Sequence, residues 1–280
     1  MQQKKMNDQK LTENLKKIKH KIIVLSGKGG VGKSTVSAYL AYALSEKGHM
    51  VGILDSDLHG PTIPKILGIE DEKPQGSKNG FKPVDVSENL KAMSMGLLLN
   101  EKDTPVIWRG PMKMGAIRQL LGDVEWGELD FLIIDLPPGT GDEPLSVIQL
   151  IPDSDGAVVV TTPQDVALVS VRKSINFVKK MNIDVIGIVE NMSGFICPNC
   201  KKEINIFKKD GGKNAAEDLH VDFLGSIPIE PNIVLSADKG EPLFEKSNKF
   251  SNSKAGTSFK KIVEKIEENI KNKKELNENA

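Results

Sequence analysis

Cysteine is almost absent from this 280-residue chain: Cys197 and Cys200 are the only two, and they form a single C-x-x-C. A secreted disulfide scaffold would use more of them, spread along the sequence. Net charge is also missing, because 38 basic residues balance 38 acidic ones. No global electrostatic pull towards nucleic acid or an anionic membrane follows, and neither is expected as a partner. No stretch approaches the roughly 18 uninterrupted apolar residues that a spanning helix needs. The first twenty residues are basic and lack an apolar run of signal-peptide length. They read as a flexible arm with a short amphipathic helix around Leu11, Leu15 and Ile18, on a chain expected to be cytoplasmic. No internal repeat is evident.

What is present is a regular alternation. Lys21–Ser26 (KIIVLS) is a short β-branched run ending at a glycine, which suits a buried parallel strand. Val51–Asp55, Phe131–Asp135, Ala157–Thr161 and Val185–Glu190 resemble it. Between them lie helix-like stretches. One is Lys33–Lys47, stopped by Gly48; another is Gln164–Lys180, with Val166, Val169, Ile175 and Val178 on an apolar stripe. Strands alternating with helices predict an α/β fold with a doubly wound, mostly parallel sheet. Such sheets bind ligands beyond the carboxyl ends of their strands. Residues 21–247 are expected to form that domain. Residues 70–80 read as a surface loop, and residues 248–280 as a linker and an amphipathic helix with a polar tail.

Gly27–Thr35 reads GKGGVGKST, placed between a strand and a helix. Gly27, Gly29, Gly30 and Gly32, with Val31 among them, supply tight turns whose N–H groups converge on phosphate oxygens at a helix N-terminus. Lys33 would pair with the β and γ phosphates of ATP, the Ser34 hydroxyl would bind Mg²⁺, and Thr35 completes the motif. Gly27, Gly29 and Gly32 also spell a dinucleotide fingerprint, with Asp55 at a ribose-binding interval. A dinucleotide site has no need of Lys-Ser-Thr opening the helix, so the P-loop reading is preferred.

Two strands end in carboxylates, at Asp55-Ser56-Asp57 and at Asp135-Leu136-Pro137-Pro138-Gly139. An ATPase needs acids there to hold Mg²⁺ and to orient the attacking water. The alternative reading of Asp57, ahead of Gly60 and Pro61, is a local helix cap. Asp142 and Glu143 read as helix-start acids. The Cys pair supplies two thiolates, where a closed zinc or iron–sulfur site generally takes four ligands. One chain therefore offers half a site, and two chains related by a two-fold axis offer a whole one. Zinc, an iron–sulfur cluster and a thiol–disulfide redox pair all remain open on the ligands alone.

The second lysine of the loop, Lys28, resembles the deviant Walker A motif of the MinD, ParA and nitrogenase iron protein class. That resemblance implies a homodimer in which Lys28 reaches the partner's nucleotide, with Asp57 orienting water and Asp55 and Asp135 on the metal side. The wider pattern resembles the Mrp/ApbC family of iron–sulfur cluster carrier ATPases, which includes Nbp- and Ind-type scaffold proteins. It spans about residues 21–242 through GKGGVGKST, LDSDLHGPTIP, WRGPM, IIDLPPGTGDEPLS, TTPQDVAL, ENMSGFICPNC and IPIEPNIVLSADKGEP. The resemblance implies a 4Fe–4S cluster bridged by Cys197 and Cys200 of two subunits and passed to apo iron–sulfur proteins. It also implies that Asn191 contacts adenine, with Pro228 and Ile229 nearby, and that WRGPM is an interface or switch segment followed by Met114. Two other readings stand beside the carrier. One is a positioning ATPase of the MinD/ParA kind, anchored by its last helix; the other is a reductase like the nitrogenase iron protein.

Overall fold

The computed structural model describes residues 2–78, 80–98, 110–197, 199–200, 202–240 and 252–278. The chain opens with α1 (Gln2–Lys16) and β1 (Ile18–Leu25), then α2 (Lys33–Glu46), β2 (Val51–Asp55) and the short α3 (Ile63–Leu67). A hairpin follows, β3 (Val84–Ser87) and β4 (Leu90–Ser94). Next come α4 (Gly110–Gly122), β5 (Leu129–Asp135), α5 (Asp142–Ile148), β6 (Gly156–Thr161), α6 (Asp165–Lys180) and β7 (Val185–Glu190). A two-stranded hairpin, β8 (Phe195–Ile196) and β9 (Glu203–Ile204), precedes α7 (Gly211–Leu219), β10 (Phe223–Ser226) and α8 (Pro231–Lys239). The last described helix is α9 (Lys254–Glu278).

Eight strands form one sheet in the order β10-β7-β6-β1-β5-β2-β4-β3. Every neighbouring pair is parallel except β3 with β4. The doubly wound class expected from the alternation is the observed one. In β1, Ile22 and Val24 enter one core layer while Ile23 and Leu25 enter the other. That is the period-two alternation of a strand covered on both faces. The first layer takes α2, α3, α8 and α9; the second takes α1, α4, α5, α6 and α7. The motif-bearing loops are thereby gathered at one edge, after β1, β2, β5 and β7.

Two expectations meet a partly different arrangement. The amphipathic helix expected around Leu11 and Leu15 is present with both leucines buried, but it runs through residues 2–16 and replaces the flexible arm. Asn14 Nδ2 donates to the carbonyls of Gly122 and Val124 at 2.8 Å each, and Lys10 Nζ sits 2.7 Å from Asp123, so α1 is fastened to α4. On α6 the stripe is rotated. Val166 and Val169 are 75% and 61% exposed, whereas Ala167, Val171, Ile175 and Val178 are buried. Successive helical residues turn by about 100°, so a stripe set one residue early at its first turn misses the core. The last helix is amphipathic as expected, α9 laying Phe259, Ile262, Val263, Ile266 and Ile270 into the core.

Candidate nucleotide site and Cys hairpin

β1 delivers the chain to the loop at its carboxyl end, and α2 starts at Lys33. Gly32 stands at the N-cap in the left-handed region, φ 79°, with no side chain capping the helix. A Cβ there would lie 2.3 Å from Asn191 Nδ2, so both conformation and space demand glycine. In front of the loop lies a cavity of ≈ 420 Å³. Its walls come from Gly29–Thr35, from Asp57 and Pro61 after β2, from Pro138 after β5 and from Asp238 of α8. A helix N-terminus facing such a cavity is a ready-made anion site.

Behind the loop the charged groups interlock. Lys33 Nζ is 2.8 Å from Asp135 Oδ2 and donates to Ser34 Oγ at 3.2 Å. The Ser34 and Ser37 hydroxyls donate to the two oxygens of Asp135, each at 2.6 Å. Ser37 lies one helical turn beyond both Lys33 and Ser34, so it shares a face with each. Asp55 is equally buried and accepts from Asp57 N at 3.1 Å, Ile63 N at 3.2 Å and Ser94 Oγ at 3.3 Å. Burial, and then the charge of Asp135, push the Asp55 carboxyl up to about 8, with Lys33 opposing. A second negative charge beside Asp135 is thereby disfavoured, which is the direction burial imposes on two neighbouring acids.

Of the acids that follow the strands, Asp57 is the one that reaches the cavity wall. Its Oδ1 also accepts from His59 N and Gly60 N, both at 3.2 Å, a turn-closing arrangement that fixes the loop. Lys28 is half-buried, and its carbonyl accepts from Ser26 Oγ at 3.0 Å. Gly27 packs against α6, where a Cβ would come within 2.4 Å of the Ser170 carbonyl oxygen. Asn191 turns its amide onto the P-loop itself, Nδ2 donating to the Val31 carbonyl at 2.9 Å. Asp142 and Glu143 stand in the first turn of α5, as expected of helix-start acids. Trp108 and Arg109 of WRGPM lie outside the described residues; Met112, in α4, is 58% exposed.

Cys197 and Cys200 sit at the tip of the β8–β9 hairpin, the first half-buried and the second exposed. Cys197 N donates to the Lys202 carbonyl at 3.0 Å, closing the tip. Among the described residues no group of three or more His, Cys, Asp or Glu side chains is arranged to hold a metal ion. Sequence reading overlooked Ser37, Ser94 and Glu190. The first lay within its reach, since helical spacing puts Ser37 beside Lys33 and Ser34; the other two meet their partners only through tertiary structure.

The ParA family model, described as NUBPL iron-transfer P-loop NTPase, matches residues 17–267. An iron-sulfur cluster carrier protein of Methanocaldococcus jannaschii is 53% identical over 268 residues, covering 96% of this chain and 91% of the relative. A cytosolic Fe-S cluster assembly factor NUBP2 homolog of Dictyostelium discoideum is 51% identical over 252 residues, covering 89% and 94%. Among solved structures, a nucleotide-binding protein of Archaeoglobus fulgidus in complex with ADP aligns with a TM-score of 0.77 at 41% identity, covering 88% and 96%. MinD of Aquifex aeolicus, at 20% identity and a TM-score of 0.63 over 88% and 96%, shares the fold. The chain belongs to the NUBPL iron-transfer family of ParA-type P-loop NTPases.

Proposed function

We propose that this chain is an ATP-binding and ATP-hydrolysing iron–sulfur cluster carrier. Two copies hold one 4Fe–4S cluster between them and pass it to apo iron–sulfur proteins. The observation that carries the reading is the pairing of an anion cavity in front of Gly29–Thr35 with a lone C-x-x-C at the tip of a hairpin of the same molecule. A single chain brings two soft thiolates and no further ligands among the described residues. A second copy completes the set by symmetry.

At the nucleotide end, the N–H groups of the loop and of the first turn of α2 cradle the phosphates. Lys33 exchanges its contact with Asp135 for the β and γ phosphate oxygens. The Ser34 hydroxyl and Asp135, 2.6 Å apart, are hard oxygen donors that fit Mg²⁺, and Asp55 stands behind them. Bound there, Mg²⁺ would neutralise phosphate charge during phosphoryl transfer. Asp57, at the cavity wall, orients the attacking water. Lys28 reaches the partner's nucleotide, and Asn191 holds the loop that faces the adenine side. A positioning ATPase anchored by its last helix is disfavoured, because the apolar face of α9 is already packed in the core.

The test is anaerobic reconstitution with iron and sulfide, followed by incubation with an apo-acceptor enzyme. The parent chain should activate the acceptor, and Cys197→Ala and Cys200→Ala should not. Equal activation by the cysteine variants, or retention of zinc alone after reconstitution, would remove the carrier reading.

A further inference from the structure

Glu190 ends β7 with none of its surface exposed. A buried carboxylate is costly unless its oxygens are hydrogen-bonded, and here the donors come from both stems of the Cys hairpin. Before the hairpin, Ser193 Oγ donates to Glu190 Oε1 at 2.5 Å. After it, Asp210 N donates to Oε1 at 3.1 Å and Gly212 N to Oε2. Those two N–H groups belong to the N-terminus of α7. Asp210 takes the N-cap position in the left-handed region, φ 64°, without capping through its own side chain. Glu190 supplies the missing cap and meets the positive end of the helix. Gly211 is pressed so closely against the loop after β6 that a Cβ would fall 2.4 Å from the Pro163 carbonyl oxygen. That contact fixes the returning stem to the loop between β6 and α6.

The next residue faces the other way. Asn191 N donates to the Thr161 carbonyl at 2.7 Å, and Asn191 Nδ2 donates to Val31 O in the phosphate loop at 2.9 Å. Two adjacent residues at the end of one strand thus grip the two functional segments: Asn191 the loop, Glu190 the hairpin base.

We propose that Glu190 is the positioning residue through which the nucleotide state of the P-loop sets the conformation of the Cys hairpin. Phosphate entering the cavity shifts Val31, Asn191 follows its hydrogen bond, and Glu190 carries the displacement to Ser193 on one stem and to the head of α7 on the other. The idea deepens the carrier reading and rests on it for its purpose, but its physical content concerns the polypeptide alone.

The experiment is hydrogen exchange on the full-length, iron-free chain, read by mass spectrometry over residues 195–209, without nucleotide, with MgADP and with MgATP. In the parent protein, nucleotide should change exchange across the hairpin. In Glu190→Gln the amide nitrogen confronts a backbone N–H, donor against donor. MgADP should still bind within roughly threefold of the parent affinity. The nucleotide-dependent difference at the hairpin should vanish. A purely structural role would instead raise exchange with and without nucleotide while keeping the difference. That result, or a parent hairpin blind to nucleotide, overturns the proposal. Should Glu190→Gln not fold, Ser193→Ala removes one stem contact and leaves α7 capped; its nucleotide response should shrink, and an undiminished response contradicts the proposal. Iron binding by the parent chain is measured separately, so failure of the carrier reading would be seen there and not here.

Discussion

Lys33 Nζ and Asp135 Oδ2 lie 2.8 Å apart, with side chains 6% and 0% exposed, so the P-loop lysine without nucleotide is held by a buried carboxylate. Removing one partner of such a pair leaves the other charged and desolvated, at a cost of about 3 to 5 kcal/mol. Lys33→Ala should therefore lose nucleotide affinity and also unfold at markedly lower urea concentration when nucleotide-free. Unfolding curves check this; a variant as stable as the parent would mean that the pair contributes little.

Gly32→Ala carries two separate penalties. The left-handed backbone at φ 79° costs an L-residue about 1 to 2 kcal/mol, and the new methyl would overlap Asn191 Nδ2. Adding Asn191→Ala should relieve the overlap and leave the backbone strain. The double variant is then expected to be more stable than the sum of the single changes allows, as a double-mutant cycle in urea would reveal.

Lys28 is half-buried at the mouth of the loop and makes no ion pair with a described residue. If it serves the partner's nucleotide, Lys28→Ala should bind MgATP nearly normally and lose hydrolysis by about 10²-fold or more, the usual effect of deleting one transition-state donor. Steady-state phosphate release and equilibrium binding, measured on the same preparation, separate the two effects.

The strands and the P-loop were legible because their signals are local: β-branched runs, glycine spacing and a helix opening on Lys-Ser-Thr. Asp55 and Asp135 announced themselves by ending strands. Their consequence did not, since the raised pKa of Asp55 comes from burial beside Asp135, and its Ser94 contact arrives from β4. The amino-terminal helix is legible only around Leu11 and Leu15, the residues that face the core among polar neighbours; its earlier turns and its docking are not, because the groove that receives it is built by α4, a hundred residues away. Glu190 was passed over as a strand terminus because its donors, Ser193 and the head of α7, come together only when the hairpin folds back.

Asp155 provides a pH test far from the nucleotide. Burial pushes its carboxyl up, but the His20 hydrogen bond at 2.9 Å and Lys21 N–H at 2.8 Å outweigh that and hold it below the usual range. A carboxyl lowered by folding stabilises above its unfolded value and loses that contribution as pH falls through the folded one. Asp155→Asn should thus cost about 1 to 3 kcal/mol at pH 7. The gap to the parent should close in acid, below the ordinary carboxylate value. A gap independent of pH would mean that packing, not charge, is what Asp155 supplies.

The most direct test of the account weighs the assembly and counts its metal together: native mass spectrometry of the chain after anaerobic reconstitution, with MgATP present. The account predicts a species of two chains carrying one 4Fe–4S cluster, lost in Cys197→Ala and Cys200→Ala. A monomer without iron, or a dimer whose iron survives both substitutions, would contradict it.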